Sequence, residues 1–220
     1  MVLAAGDSSR LGCPKQLAPH EGLPLVARAA RAALEAGAAP VVVVLGAHAE
    51  AARATLSDLP VIPLVNPEWS RGMGTSIATG VQAILGHAPP VDGVLVMLVD
   101  QPLVNGTAVR RLLDTWTSSA ARSRDGLATI AAAAYTGTIG VPAVFGRGHF
   151  DALCSLPAEA GAARLLRQAD VQADRVVMPE AALDVDTPND LERLRVLGLS
   201  DPRHWSERTV TNPKAGCRGR

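Results

Sequence analysis

Short continuous apolar runs alternate along this chain with stretches of helical periodicity, and that alternation constrains the fold more than any other feature. Val41 to Leu45 and Val94 to Val99 are uninterrupted apolar runs of strand length. Such runs suit strands buried on both faces, as in a parallel sheet covered by helices. Between them, Leu25, Val26, Ala29, Ala30, Ala33 and Leu34 recur at helical spacing, with Pro24 suited to the first turn and Gly37 to the stop. The same pattern predicts a short strand ending at Val2 to Ala4, a helix over 47–56, a strand over 61–65, and a helix over 74–85 with Ile77, Val81 and Leu85 inward. Val109, Leu112, Leu113 and Trp116 make the stripe of the next helix, capped by Asn105 or Thr107. Strands over 127–134 and 142–145, around Gly137 and Gly140, add an antiparallel element. A helix over 161–169, a strand over 176–178 and a helix over 187–197 complete the series. The expected fold is therefore α/β, with three α/β/α layers and a mostly parallel, mixed sheet.

The length of 220 residues fits one domain. Hydrophobic residues make up 48% and aromatics 3%, so alanine, valine and leucine must fill the core. The domain is expected over 1–199, and the polar stretch 200–220, with Pro202, Pro213 and Gly216, reads as a flexible basic tail. Lys plus Arg equals Asp plus Glu, at 21 each, so no global field attracts nucleic acid or an anionic membrane. The apolar stretches are far short of a membrane span. Neither nucleic acid nor membrane is an expected partner, and any anion site must be local. Cys13, Cys154 and Cys217 are odd in number and form no CxxC, so neither a disulfide framework nor a zinc site is indicated. A reducing cytoplasm fits, and Met1 to Gly6 hold no signal peptide. The five histidines are scattered and read as ordinary surface or loop residues.

Chemistry concentrates in a few strings. Leu3-Ala4-Ala5-Gly6-Asp7-Ser8-Ser9-Arg10-Leu11-Gly12-Cys13-Pro14-Lys15 follows the first strand. Small residues let its backbone approach a ligand, and successive N–H groups in such a loop form an anion-binding concavity. Arg10 adds a planar fork for phosphate oxygens, and Lys15 a mobile point charge. The string is neither GxxxxGK[ST] nor GxGxxG. Asp100 closes the apolar strand 94–99 and precedes Gln101-Pro102. Ligands of open α/β sheets bind at the carboxyl ends of strands, and an Asp there can hold Mg²⁺. In Asp184-Val185-Asp186-Thr187-Pro188-Asn189-Asp190, the last four residues make a good helix start. Asp184 and Asp186 remain unexplained by that. In Asn66-Pro67-Glu68-Trp69-Ser70-Arg71-Gly72-Met73-Gly74-Thr75-Ser76, glycines permit close approach to a ligand and Ser76 can donate from a first helical turn.

The string from Leu3 to Leu17 resembles the signature of the molybdenum cofactor nucleotidyltransferases, especially the cytidylyltransferase branch. The resemblance spans roughly residues 2 to 197 and implies a Rossmann-like nucleotidyltransferase fold. In that family the loop wraps the triphosphate, and its Arg and Lys contact the phosphates; Arg10 and Lys15 match by type and spacing. Sugar-1-phosphate nucleotidyltransferases and the cytidylyltransferase of isoprenoid synthesis share the opening but usually separate the Arg and Lys further. The resemblance implies catalytic roles for Arg10, Lys15 and Asp100, and Mg²⁺ held by Asp100 and Asp186, with Asp184 as runner-up to Asp186. It implies nucleotide binding by Leu3, Ala4, Ala5, Gly6, Ser8, Ser9 and Gly12, and by Asn66, Gly72 and Ser76. Leu-Ala-Ala-Gly, rather than Leu-Ala-Gly-Gly, points to CTP over GTP. The implied reaction transfers CMP from CTP to a terminal phosphate of molybdopterin, with a molybdoenzyme as eventual recipient of the product. Two departures stand out: Val141 occupies the place of the family's His in Gly-His-Pro, and Ala163 replaces a basic residue. A same-fold transferase using GTP, a sugar phosphate or methylerythritol phosphate is the nearer alternative. A non-catalytic cofactor carrier is the other, although it would have no use for a metal-held triphosphate.

Overall fold

The computed structural model describes residues 1–87, 90–123, 126–169 and 172–194. In chain order the elements are β1 (Val2–Ala4), β2 (Pro19–His20), β3 (Leu23–Pro24), α1 (Leu25–Glu35), β4 (Val42–Leu45), α2 (Ala49–Ala54), β5 (Ile62–Val65), α3 (Met73–Leu85), β6 (Gly93–Leu98), α4 (Gly106–Arg122), β7 (Ile130–Tyr135), β8 (Thr138–Gly146), α5 (Phe150–Cys154), α6 (Ala163–Ala169), β9 (Asp174–Val177) and α7 (Pro188–Leu194). The main sheet has seven strands in the order β5-β4-β1-β6-β8-β7-β9. β1 runs parallel to both β4 and β6, with Val2 opposite Val43 on one side and Met97 on the other. β8 enters antiparallel between β6 and β7, and β9 then pairs parallel to β7. The mixed, mostly parallel sheet is thus as expected, with the antiparallel element where 127–145 placed it.

Strand alternation sends successive side chains to opposite faces. Val2, Ala4, Val43, Leu45, Leu95 and Met97 face α1 and α4 through residues such as Ala30, Ala33, Val109 and Leu112. Met1, Leu3, Val42, Val44, Val94 and Val96 face α3, α5 and α6 through Ile77, Val81, Phe150, Leu153 and Leu166. These two cores are the interfaces of a three-layer α/β/α arrangement, and small alanines on α1 let it seat closely. Gly37 terminates α1 with φ +83°, a conformation that favours glycine.

Several details differ from the sequence expectations. Ile84, not Leu85, is the inward residue at the end of α3: Ile84 is 3% exposed and Leu85 44%. The α4 cap is Asn105, whose side chain accepts from the Ala108 N–H, rather than Thr107. Leu127 lies in a single 3₁₀ turn before β7 and is exposed. His20 is buried in the β2–β3 hairpin rather than at the surface. Cys154 is free, and Cys217 lies outside the described residues. The last helix is described as far as Leu194, and the proposed tail 200–220 also lies outside the described residues.

Candidate active site

Because β1, β4, β5 and β6 are parallel, their carboxyl ends share one edge of the sheet. The segments that leave those ends carry the sequence motifs. The loop after β1 turns through Ser8 at φ +59° and Gly12 at φ +74°. The Leu11 N–H donates to the Ser8 carbonyl at 2.9 Å, and the Lys15 N–H to Ser8 Oγ at 2.9 Å. Beneath the loop lies Gln16, fully buried. Its amide donates to the Ala4 carbonyl at 2.9 Å and to the Gly6 carbonyl. Leu3, Ala4 and Ala5 are buried, whereas Gly6, Ser9, Arg10 and Gly12 are exposed.

The cations of this loop meet the carboxylates of two other motifs. Lys15 Nζ lies 3.1 Å from Asp100 Oδ2 and 2.6 Å from Asp186 Oδ1. Arg10 Nη2 lies 3.0 Å from Asp186 Oδ2. The Lys15 and Asp100 side chains are 14% and 19% exposed and Arg10 is 73% exposed, so the Lys15 contacts are the shielded ones. Asp100 sits just past β6, and its carbonyl accepts from the Val185 N–H at 2.8 Å. That bond, with Val185 fully buried, brings the 184–186 segment beside the strand end. Burial opposes the charge on Lys15, but Asp100 and Asp186 outweigh it and raise the ammonium's pKa. The hydrogen bond from Lys15 holds the Asp186 carboxyl below its usual range. Asp184 is exposed as a whole residue, yet partial burial and then the charges of Asp100 and Asp186 push its carboxyl up to about 6.

A divalent cation is chemically suited to this place. Asp100 and Asp186 aim hard oxygen donors at one point, and Asp100 Oδ1 is a buried acceptor with no hydrogen-bond partner. Among the described residues, no three His, Cys, Asp or Glu side chains form a ready cage. Two carboxylates completed by phosphate oxygens and water are the usual donor set for Mg²⁺, which dehydrates reluctantly.

Residues 1–175 match the model of the MobA-like NTP transferase domain. The chain belongs to this family. It is thereby a nucleotidyltransferase, and the resemblance read from residues 3–17 holds at the level of the family. Nicotine blue oxidoreductase of Paenarthrobacter nicotinovorans is 37% identical over 206 residues, covering 88% of this chain and 94% of that protein. The bifunctional protein GlmU of Anaeromyxobacter dehalogenans is 35% identical over 152 residues, 67% of this chain but only 29% of GlmU. Among solved structures, Rv0371c from Mycobacterium tuberculosis superposes with a TM-score of 0.70 at 29% identity, covering 88% of this chain and 94% of that one. A complex of Rv0371c with manganese matches with a TM-score of 0.67 at 27% identity, covering 88% and 95%.

The remaining predicted residues of this MobA-like NTP transferase, Asn66, Gly72 and Ser76, lie between the end of β5 and the first turn of α3. Asn66 is 1% exposed and Ser76 3%. Asn66 Nδ2 donates to Thr75 Oγ1 at 2.9 Å and Ser76 Oγ at 3.0 Å, while its Oδ1 accepts from the Glu68 N–H at 2.9 Å. These bonds brace the 66–76 loop. Gly72 adopts φ +132°, and a Cβ there would lie 2.3 Å from the Ala158 carbonyl oxygen. Residue-by-residue reading of the sequence passed over Gln16, and it passed over Gly46 as well. A Cβ at Gly46 would lie 2.6 Å from both the Ala5 carbonyl oxygen and Trp69 Cβ. A glycine directly after the apolar run 41–45 was the available signal. Val141, where the family's His is absent, offers its carbonyl to Gln101 Nε2 at 3.0 Å and to Tyr135 Oη at 3.3 Å.

Proposed function

We propose that this protein transfers CMP from CTP to the terminal phosphate of a molybdopterin, releasing pyrophosphate. The observation that carries the reading is the convergence of the β1 loop cations, Lys15 and Arg10, with the strand-end carboxylates Asp100 and Asp186. An acceptor phosphate oxygen forms the new bond to the α-phosphorus. The bond from that phosphorus to the bridging oxygen breaks, and its electron pair leaves with pyrophosphate. No side-chain nucleophile is required, so alignment and charge stabilisation are the protein's share. The loop, exposed at Gly6 and Gly12, cradles the triphosphate with its backbone, in the manner of backbone anion sites. Lys15 and Arg10 neutralise charge on the departing phosphates. Asp100 and Asp186 hold Mg²⁺, which when bound supplies Lewis-acid polarisation of the phosphate oxygens. The manganese complex of Rv0371c supports use of a divalent cation. Asn66, Ser76 and Gly72 act by shaping the loop that borders the nucleoside rather than by reaching it with side chains. The product would pass to a molybdoenzyme, and a cytoplasmic setting suits these substrates. No helix among the described residues is long and apolar enough to cross a membrane.

The base preference rests on Ala4-Ala5 ahead of Gly6. A methyl at Ala5 narrows the space beside the loop, whereas glycine leaves more room for a purine. One methyl contributes only about 1–3 kcal/mol of discrimination, so other contacts must share the task. The deciding experiment incubates the protein with Mg²⁺, each of the triphosphates and, in separate reactions, molybdopterin or a sugar phosphate, followed by the product's mass. A cytidine dinucleotide of molybdopterin is expected; a guanine product, or transfer only to a sugar phosphate, replaces the reading with its same-fold neighbour. A second reading comes from the 37% identity to a relative named as an oxidoreductase. Pyrophosphate release separates the two, because a redox reaction produces none.

A further inference from the structure

We infer that Lys15 acts as an internal counter-ion that stands in for the divalent cation and makes metal and nucleotide bind cooperatively. The inference rests on the metal and phosphate roles proposed above and adds the linkage between them. Lys15 Nζ is within 3.1 Å of Asp100 and 2.6 Å of Asp186, the two carboxylates that fit the metal. Arg10 takes the other oxygen of Asp186 at 3.0 Å. One ammonium therefore bridges both donors, at the place where a dication would gain most from them. A dication entering alone must draw near that ammonium, and like charges at such distances repel strongly where water is partly excluded. A triphosphate changes this balance. Its oxygens offer Lys15 an alternative anionic partner, and the flexible four-carbon stem lets the ammonium swing from the carboxylates to the phosphates. The released carboxylate oxygens, with the already unpartnered Asp100 Oδ1, then face the metal. Each ligand thus prepares the site for the other, and linkage makes the effect reciprocal. Arg10 contributes less to the bridge, being exposed and in contact with only one of the carboxylates.

The test uses Mn²⁺ as the probe, with free and bound ion separated by electron paramagnetic resonance and ternary complexes with CTP followed by water-proton relaxation. In the native protein Mn²⁺ alone should bind weakly, and CTP should tighten it by roughly 5–150-fold, the usual span of coupling between sites. Lys15→Met should tighten Mn²⁺ binding in the absence of nucleotide by about tenfold and shrink the enhancement by CTP in proportion. Lys15→Gln provides a second neutral side chain, and a thermal melt establishes that each variant is folded. Adding Asp100→Asn to Lys15→Met should abolish the gain, tying it to the bridged carboxylate. Unchanged or weaker Mn²⁺ binding in both folded neutral variants would overturn the inference. Because these measurements need no acceptor and no turnover, they stand apart from the product analysis: a failed CMP transfer leaves the counter-ion result intact, and the reverse also holds.

Discussion

At the scale of single residues, exposure decides which contacts matter. Lys15 is shielded and bridges two motifs, whereas Arg10 is 73% exposed where it meets Asp186. Exposed ion pairs contribute about 0–1 kcal/mol, so Arg10→Ala should barely shift the melting temperature. Lys15→Ala should lower turnover by roughly 10²–10³-fold, the scale of losing one electrostatic stabiliser, with the fold retained. Steady-state kinetics beside a melt separates these effects, and unchanged turnover in a folded Lys15 variant removes it from the site. The acidic residues differ among themselves in the same way. Asp190 Oδ2 accepts from the Thr187 N–H at 2.8 Å and from Thr187 Oγ1 at 2.7 Å, and the Asp190 N–H turns back to Thr187 Oγ1. That reciprocal pair is a helix-start capping box. Asp190→Asn should therefore cost about 0.5–2 kcal/mol of stability, as cap losses do, and leave the Mg²⁺ requirement alone. Asp100→Asn and Asp186→Asn should raise the Mg²⁺ concentration needed for activity, measured by titration at fixed triphosphate. An Asp190 variant as Mg²⁺-sensitive as Asp100→Asn would move the metal into the helix start. Lys15, Asp100 and Asp186 were legible in sequence because charged residues at strand ends and in glycine-containing loops have few structural reasons to be there. Gln16 was not legible: its amide serves two carbonyls of a loop whose path only the folded chain reveals.

At the scale of elements, periodicity carried the reading well and failed where a fraction of a turn decides burial. From Ile77, a step of seven residues returns within about 20° of the same helix face, while eight residues overshoots by about 80°. That is why Ile84 is buried and Leu85 exposed at the end of α3. Likewise Asn105 and Thr107 are both cap-forming types, and only the chain's path into α4 selects the Asn105 oxygen. The Ala-rich strand β7 gave no hint of its register, which shifts between Ala132 and Ala133 against β8. Backbone-to-backbone approach was equally hidden. At the end of β4, Gly46 lets the chain pass over the Ala5 carbonyl and under Trp69. Both obstacles to a Cβ are held in place, one by backbone and one by an aromatic stem. Gly46→Ala should therefore destabilise the fold by about 1–3 kcal/mol, the range for overpacking. It should also raise KM for the triphosphate, since Ala5 opens the phosphate loop. Denaturant melts and KM measured together test this; a variant with native stability and native KM would mean the loop moves aside without consequence.

At the scale of the whole molecule, the cluster of acids at the sheet edge makes stability depend on pH in a way that one residue can expose. Asp184 is pushed from the ordinary carboxylate value of 3.8 to about 6 by partial burial and by the negative charges of Asp100 and Asp186. The folded state then holds this proton more tightly than the unfolded chain does. By linkage, the slope of stability with pH is negative wherever the folded state binds more protons. The contribution of Asp184 is therefore full below about pH 4, declines as pH rises, and is lost once pH passes about 6. Asp186 behaves in the opposite sense: its carboxyl, lowered by Lys15, contributes above its unfolded range and loses that contribution only in stronger acid. Asp184→Asn isolates the first term, because asparagine is close in shape and carries no charge at any pH. The variant should match the native protein near about pH 4 and exceed it in stability above about pH 6, with the gap opening between those values. Because Asp184 is exposed, solvent screening keeps that gap small, below what the pKa displacement alone would give. Unfolding free energies from urea titrations across this range provide the measurement. Equal stability of the two proteins at every pH would mean that the Asp184 carboxyl titrates as in the unfolded chain, and that the negative field of the strand-end acids is already neutralised by Lys15 and Arg10.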